Sequence, residues 1–283
     1  MPDDQPVSFP VFEEHIPTLD LRAHEYRARF ARTMQEVEDV QRLRYKVFNV
    51  ELDEGLESAH ETGRDADDFD LVCHHLLVEN TETDEIIGTY RMQTHAMADA
   101  KLGFYSAQEF DLSSWPSHVL ENSVELGRAC IAQEHRSLPV LNLLWKGIGA
   151  YLAHNAGRYL FGCSSLTSQN PADGLAVLKY FDREGLLHSS LWATPQPGYQ
   201  CATDEPVETA HKADIPRLMR VYINTGARIC GPPAIDRAFQ TIDFLTFYDI
   251  ETLEPQAARF FGLEDVIDVG GDEVESQGVE DGG

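Results

Sequence analysis

Residues 123–166 read SVELGRACIAQEHRSLPVLNLLWKGIGAYLAHNAGRYLFGCSSL, and this stretch decides the fold. SVELGRACIA has the length and apolar content of a strand. A helix starts near Ser137, an N-cap residue type, with Pro139 tolerated in its first turn. It runs through LNLLWKGIGAYLAHNA and stops at Gly157, which suits the position just past a helix end. Tyr159 to Leu166 is the next strand.

Working outward, Asn170-Pro171 is an N-cap followed by a first-turn proline, and the helix ADGLAVLKYFDREG ends at Gly185. A polar, Pro-rich loop spans 193–215, a short helix IPRLMRVYINTG ends at Gly226, and TIDFLTFYDI is the last strand. Towards the N-terminus, LVCHHLLVE (71–79) and IIGTYRMQT (86–94) form a hairpin around the polar turn 80–85. Residues 51–70 are a polar, acidic loop. Before it, Met34, Val37, Val40, Leu43 and Val47 make one helical stripe. The order implies an α/β (α+β) fold, one mixed and mostly antiparallel sheet with helices on both faces. Residues 1–20 are expected as a loose arm, 21–262 as one domain, and 263–283 as a disordered acidic tail.

The 283 residues carry 22 basic and 48 acidic side chains, a formal charge of −26. Such a field repels nucleic acid and anionic lipid head groups. The tail from Glu264 to Gly283 holds eight carboxylates and no Lys or Arg, yet the remaining body is acidic too. A salt-rich cytoplasm accounts for that, as does attraction of a cationic small substrate. No run approaches the ~18 apolar residues of a membrane span, and the acidic N-terminus does not resemble a signal peptide. A cytoplasmic protein is expected. The five cysteines are scattered with no CxxC pair, so buried free thiols are expected.

Arg44 and Phe48, Asp67 and Asp70, Gly88 and Arg91, and Glu125 and Arg128 resemble the R-xxx-F, D-xx-D, G-xx-R and E-xx-R signatures of acyl-homoserine-lactone synthases. Those enzymes share the GCN5-related acyltransferase fold. ELGRACI, LLWKGIGAYL, FGCSSL and the segment 226–250 are more similar to N-acyltransferases that make lyso-ornithine lipid and to their hemolysin-like relatives. The resemblance covers about residues 25–255. It implies transfer of a (3-hydroxy)fatty acyl group from acyl carrier protein to the α-amine of an amino acid, ornithine above all. No cofactor is implied beyond the acyl thioester, with coenzyme A as the alternative carrier. The product offers a peripheral contact with the membrane.

Acyl transfer needs a neutral amine, a polarised carbonyl and a held carrier arm. Glu125, among apolar strand neighbours, is the expected base, with Arg128 beside it in the motif. Residues three apart face opposite ways on a regular strand, so joint action requires a bulge near Gly127. The plain alternative pairs Glu125 with Arg128. Asp67, Asp70 and Arg91 would bind the acceptor's charged groups. Arg44 would join them or close an ion-pair cluster, and Asp236 or Asp243 would meet a cationic side chain.

The carrier's phosphate would sit at Arg136 and Ser137, where a helix begins. The loop Gln133–Val140 has no glycine, which favours the single phosphate of a carrier protein over coenzyme A's pyrophosphate. Arg136, Lys146, Arg158, Lys179 and Arg183 are the candidate basic patch for an acidic carrier. His74 and His75 point to opposite faces of a strand, so no shared metal is expected. Without a G-x-S-x-G elbow, Ser164 and Ser165 do not read as a hydrolase. Two other readings compete: a signal synthase making N-acyl amino acids or lactones, and a non-catalytic acyl-binding or hemolysin-like protein. The GPPAIDRAF segment counts against the first, and the joint presence of Glu125, Arg128 and Arg91 against the second.

Overall fold

The computed structural model describes residues 9–263. Its strands are β1 (Leu21–Ala23), β2 (Tyr26–Phe30), β3 (His74–Asn80), β4 (Glu85–Thr94), β5 (Phe110–Asp111), β6 (Ser123–Ile131), β7 (Tyr159–Leu166), β8 (Thr194–Pro195), β9 (Arg228–Ile229), β10 (Ala234–Asp236) and β11 (Thr241–Asp249). Its helices are α1 (Met34–Tyr45), α2 (Ala59–Thr62), α3 (His95–Ala100), α4 (Ser117–Glu121), α5 (Leu138–His154), α6 (Pro171–Arg183), α7 (Arg217–Asn224) and α8 (Pro255–Phe261). A nine-stranded sheet runs β1-β2-β3-β4-β6-β7-β11-β10, with β9 also on β11. Every pair is antiparallel except β6 with β7.

Alternation along β3 sorts the two faces. Leu76 and Val78 pack with Leu144, Trp145 and Ile148 of α5, while Leu77 packs with Val37 and Val40 of α1. Helices therefore cover both faces, as the sequence implies. Each such buried aliphatic side chain contributes roughly 2 kcal/mol. A Thr33–Glu36 capping box starts α1, and the Asn170 side chain accepts from Ala172 N to start α6. Beyond α5 it is Ala156 that turns left-handed (φ 49°). Gly157 is needed for space, since a Cβ there would lie 2.5 Å from Leu152 Cδ1.

Two expectations at the N-terminus change. The hairpin β1–β2 was not visible as helix or arm: Tyr26, Ala28 and Phe30 alternate inward while Arg27 and Arg29 pair with Glu79. Residues 9–20 are not loose. His74 Nε2 donates to Val11 O (2.7 Å), His154 Nε2 to Glu14 O (2.8 Å), and Ile16 is buried in the main core. Those partners lie far along the chain, beyond any local pattern. The expected disorder of the acidic tail concerns residues outside those described, apart from Leu263, which is buried.

Candidate active site

The site is built where two strands part. β6 and β7 pair only at Ser123–Tyr159, Val124–Leu160 and Glu125–Phe161. Both strands then continue, to Ile131 and Leu166, without meeting. Gly162 sits at the fork: a Cβ there would lie 2.0 Å from the Leu126 carbonyl oxygen. On its other edge β6 carries a register shift against β4 between Thr89 and Arg91, and Arg128 adopts a left-handed φ of 48°. This is the expected bulge, centred on Arg128 rather than on Gly127. The fork opens into a cavity of about 570 Å³.

One wall is cationic and largely self-neutralised. Arg44 is fully buried and bonds both oxygens of Asp70 (2.8 and 2.6 Å), with Asp65 Oδ1 2.8 Å from its Nε. Arg91 donates to Asp67 and to Asp70 (2.8 Å), and Arg128 donates to Asp67 (3.1 Å). Gln41 adds a bond to Asp70 (2.9 Å). The paired arginines hold the Asp70 carboxyl well below the usual range against the cost of its burial. Arg128 lies over the rings of Tyr105 (4.8 Å) and Phe239 (4.5 Å), and its buried Nε has no hydrogen-bond partner among the described residues.

The same cavity has an acidic lining. Glu54, Asp236 and Asp243 line the cavity, and Glu109 stands behind Asp243. All four side chains are buried, and none makes an ion pair among the described residues. Burial pushes Glu54 up to about 7, although Thr167 donates to it at 2.7 Å. Burial, then the charges of Asp243 and Asp236, raise Glu109 well above the carboxylate range, and burial raises Asp243. Glu125, also in the wall, accepts from Gln93 Nε2 (2.6 Å), Tyr105 N (2.8 Å) and Ser106 N (2.7 Å). At the mouth stand Arg136, Ser137 and Leu138 at the start of α5, and Arg217 and Leu218 at the start of α7.

A family model for an acetyltransferase (GNAT) domain matches residues 43–146. An L-ornithine N(alpha)-acyltransferase of Brucella abortus is 33% identical over 259 residues, covering 83% of this chain and 88% of that protein. The chain belongs to the L-ornithine N(alpha)-acyltransferase family. A second member, from Agrobacterium fabrum, is 32% identical over 83% of this chain and 85% of its own. Among solved structures the AHL synthase LasI superposes with a TM-score of 0.44 at 10% identity, over 79% of this chain and 89% of that one. This member of the family is thus an acyltransferase on a GNAT domain, and no helix among the described residues is long and apolar enough to cross a membrane.

For this acyltransferase, the structure brings Glu125, Arg128, Arg91, Asp236, Arg136 and Ser137 to one cavity. It does not pair Glu125 with Arg128, whose carboxylate partner is Asp67. Arg44 and Asp70 are spent on each other, so the ion-pair cluster is their place and substrate contact is not. Asp67 likewise bonds Arg91 and Arg128. Of the expected basic patch, only Arg136 lines the cavity. Lys146, Arg158, Lys179 and Arg183 are absent from the cavity lining. Arg158 lies at the far end of β6 from Arg136 and pairs with Asp249 and Glu251. Lys179 bonds Val207 O, and Arg136 itself pairs with Glu51.

His74 and His75 are buried, bonded to Tyr151 and to Asp70 O, and burial holds both down at about 4. Cys73, Cys130 and Cys230 are buried free thiols and Cys163 is half-buried; Cys73, Cys130 and Cys163 line the cavity. Glu54, Glu109, Tyr105, Phe239 and Arg217 were missed. A π-helical turn at Lys46–Glu51 redirects the chain after α1 and delivers Glu54 to the cavity. The periodicity gave no sign of that turn. Glu109 follows a short turn whose backbone N–H groups are anchored by Glu125, a link made only by the tertiary fold.

Proposed function

We propose that this acyltransferase moves a fatty acyl group from acyl carrier protein to the α-amine of ornithine, giving a mono-acyl ornithine. The observation that carries the reading is the charge division of the cavity: Arg128, which bonds Asp67 and leaves its Nε without a hydrogen bond, shares the cavity with buried carboxylates that make no ion pair among the described residues. An amino acid with a second amine fits both walls. Arg128 takes the α-carboxylate, its guanidinium already bedded between two rings. The relatives' names support ornithine as that amino acid.

The α-ammonium, with a pKa of about 8, must lose its proton before attack. Glu54 has one oxygen outside the bond from Thr167 and a carboxyl pushed up to about 7, which suits a proton acceptor near neutrality. Glu125 instead positions the turn that carries Tyr105 against Arg128. The amine nitrogen bonds to the thioester carbonyl carbon, the carbon–sulfur bond breaks, and the proton that the nitrogen sheds on becoming an amide passes to the sulfur, so that the carrier leaves as its thiol. The carrier's arm enters through the fork past Arg136, Ser137 and Arg217, and the acyl chain lies along Leu141, Leu144, Met219 and Val221. The test is mass spectrometry of reactions holding purified protein, ornithine and acyl carrier protein charged with a 3-hydroxyacyl group. Mono-acyl ornithine is the expected product, formed faster than from the coenzyme A thioester. A faster reaction from coenzyme A overturns the carrier assignment, and no product from either overturns the reading.

A further inference from the structure

Glu109, Cys163 and Asp243 bring their ligand atoms within 4.8 Å of one another. Both Glu109 oxygens and Asp243 Oδ1 are buried without a hydrogen-bond partner among the described residues. Glu109 is 2% exposed and Asp243 4%, and Asp243 lines the cavity. Two adjacent carboxyls with free lone pairs and no cation are costly to bury, and the cost is recovered only by something that donates to them. The surrounding donors reach Asp243 alone and carry no charge: Thr241 of β11 donates over a long bond (3.3 Å), Ser165 of β7 stands beside it, and with a proton retained between them the two carboxyls share a hydrogen bond with each other. Cys163 comes from β7, Asp236 from β10, and Glu54 from the segment after the π-turn. Arg128 of the same cavity is turned to Asp65 and Asp67.

We propose that Asp243, backed by Glu109, seats the terminal ammonium of the acceptor's side chain and makes the enzyme select a diamino acid over its uncharged isostere. This rests on the amino-acid acyltransfer reading above and names the subsite that reading leaves open. An ammonium has three donors and no acceptor, which suits the Asp243 carboxyl at the cavity wall with Glu109 close behind it. It also arrives with the charge the wall lacks. When the cavity is empty the pair retains a proton, because burial and mutual repulsion disfavour two anions. Binding of the ammonium expels that proton to water, so one cation replaces another and the charge balances. An acceptor ending in a methyl group leaves both carboxyls unpaired. Sites built around a polar group discriminate strongly against analogues that lack it.

The experiment compares kcat/KM for ornithine and norleucine, in which a methyl group replaces the terminal ammonium, in the wild type, Asp243→Asn and Glu109→Gln. The wild type is expected to prefer ornithine by about a hundredfold or more. Each substitution should lower that ratio by at least about tenfold, chiefly through the KM for ornithine. Equal loss on both acceptors, or an unchanged ratio, would falsify the subsite. Should a variant fold poorly, calorimetry on the wild type in two buffers of different ionisation enthalpy gives the answer. Ornithine should release about one proton on binding and norleucine none, and identical proton release overturns the proposal. Stoichiometric metal in the purified protein with chelator-sensitive activity overturns it too, by giving the pair another occupant. A wild type active on both acceptors without preference removes the subsite alone. A wild type inactive on both removes the acyltransfer reading with it.

Discussion

Glu54 and Glu125 face the same cavity, yet their neighbours set them different tasks. Glu54 accepts one hydroxyl bond, and its carboxyl sits near 7 because it is buried. Glu54→Gln should cut kcat at pH 7 by about a hundredfold, the scale of losing a general base, and recover in part above the amine's pKa of about 8. The same substitution has a stability signature. Because the folded carboxyl titrates above its unfolded value of 4.5, its contribution is whole below 4.5 and lost as pH rises through about 7. The variant should therefore match wild type at pH 4.5 and exceed it at pH 8 by up to about 3 kcal/mol, read as denaturant midpoints. An unchanged pH–rate curve removes Glu54 from the mechanism. Glu125 accepts three N–H bonds, so Gln at 125 turns a donor towards a donor. Glu125→Gln should lose about 1–3 kcal/mol and slow turnover without moving the pH profile. A variant of full stability with a shifted profile would restore Glu125 as the base.

Among the elements, the fork between β6 and β7 makes a cavity from what would otherwise be continuous sheet. Gly162→Ala puts a methyl group 2.0 Å from a backbone oxygen of Leu126, which cannot move without breaking the three parallel pairs. A loss of roughly 2–4 kcal/mol is expected, with activity falling alongside. Gly127→Ala is the control: nothing lies within 4 Å of its new methyl, so melting should stay near wild type. Melting temperatures equal to wild type for both would show that the fork tolerates a wider gap. The bulge at Arg128 was legible because Glu125 and Arg128 stand three apart in a strand; the fork was not, because unpairing is a relation between strands. The same limit explains the other misses. Long periodic runs such as 138–154 and 241–249 announced themselves, whereas β10 has three residues and β9 two. The sequence showed acids at 65, 67 and 70 and an ion-pair cluster with Arg44, but not that Arg91 and Arg128 would join that cluster.

Across the whole molecule, the charge of −26 sets a problem for any acidic partner. Self-repulsion of the folded chain is screened by salt, with a Debye length of about 8 Å at physiological strength and about 3 Å at 1 M. A partner that approaches this surface needs local cations where it docks, and of the expected patch only Arg136 lines the cavity. What remains at the cavity mouth is Arg136, paired with Glu51, and Arg217, which is exposed and without an ion pair among the described residues. Arg217 therefore holds the freest positive charge at the point where a carrier's arm must enter. Arg217→Glu should raise the KM for acyl carrier protein several-fold at low salt with kcat nearly unchanged, and the effect should shrink at high salt. Lys179→Glu and Arg183→Glu should change KM by less than about twofold, since neither residue lines the cavity. A small thioester without the carrier protein should react alike with all three variants, because it brings no acidic surface. If Lys179→Glu instead matches Arg217→Glu, the carrier docks over α6, and the mouth supplies only the path for its arm.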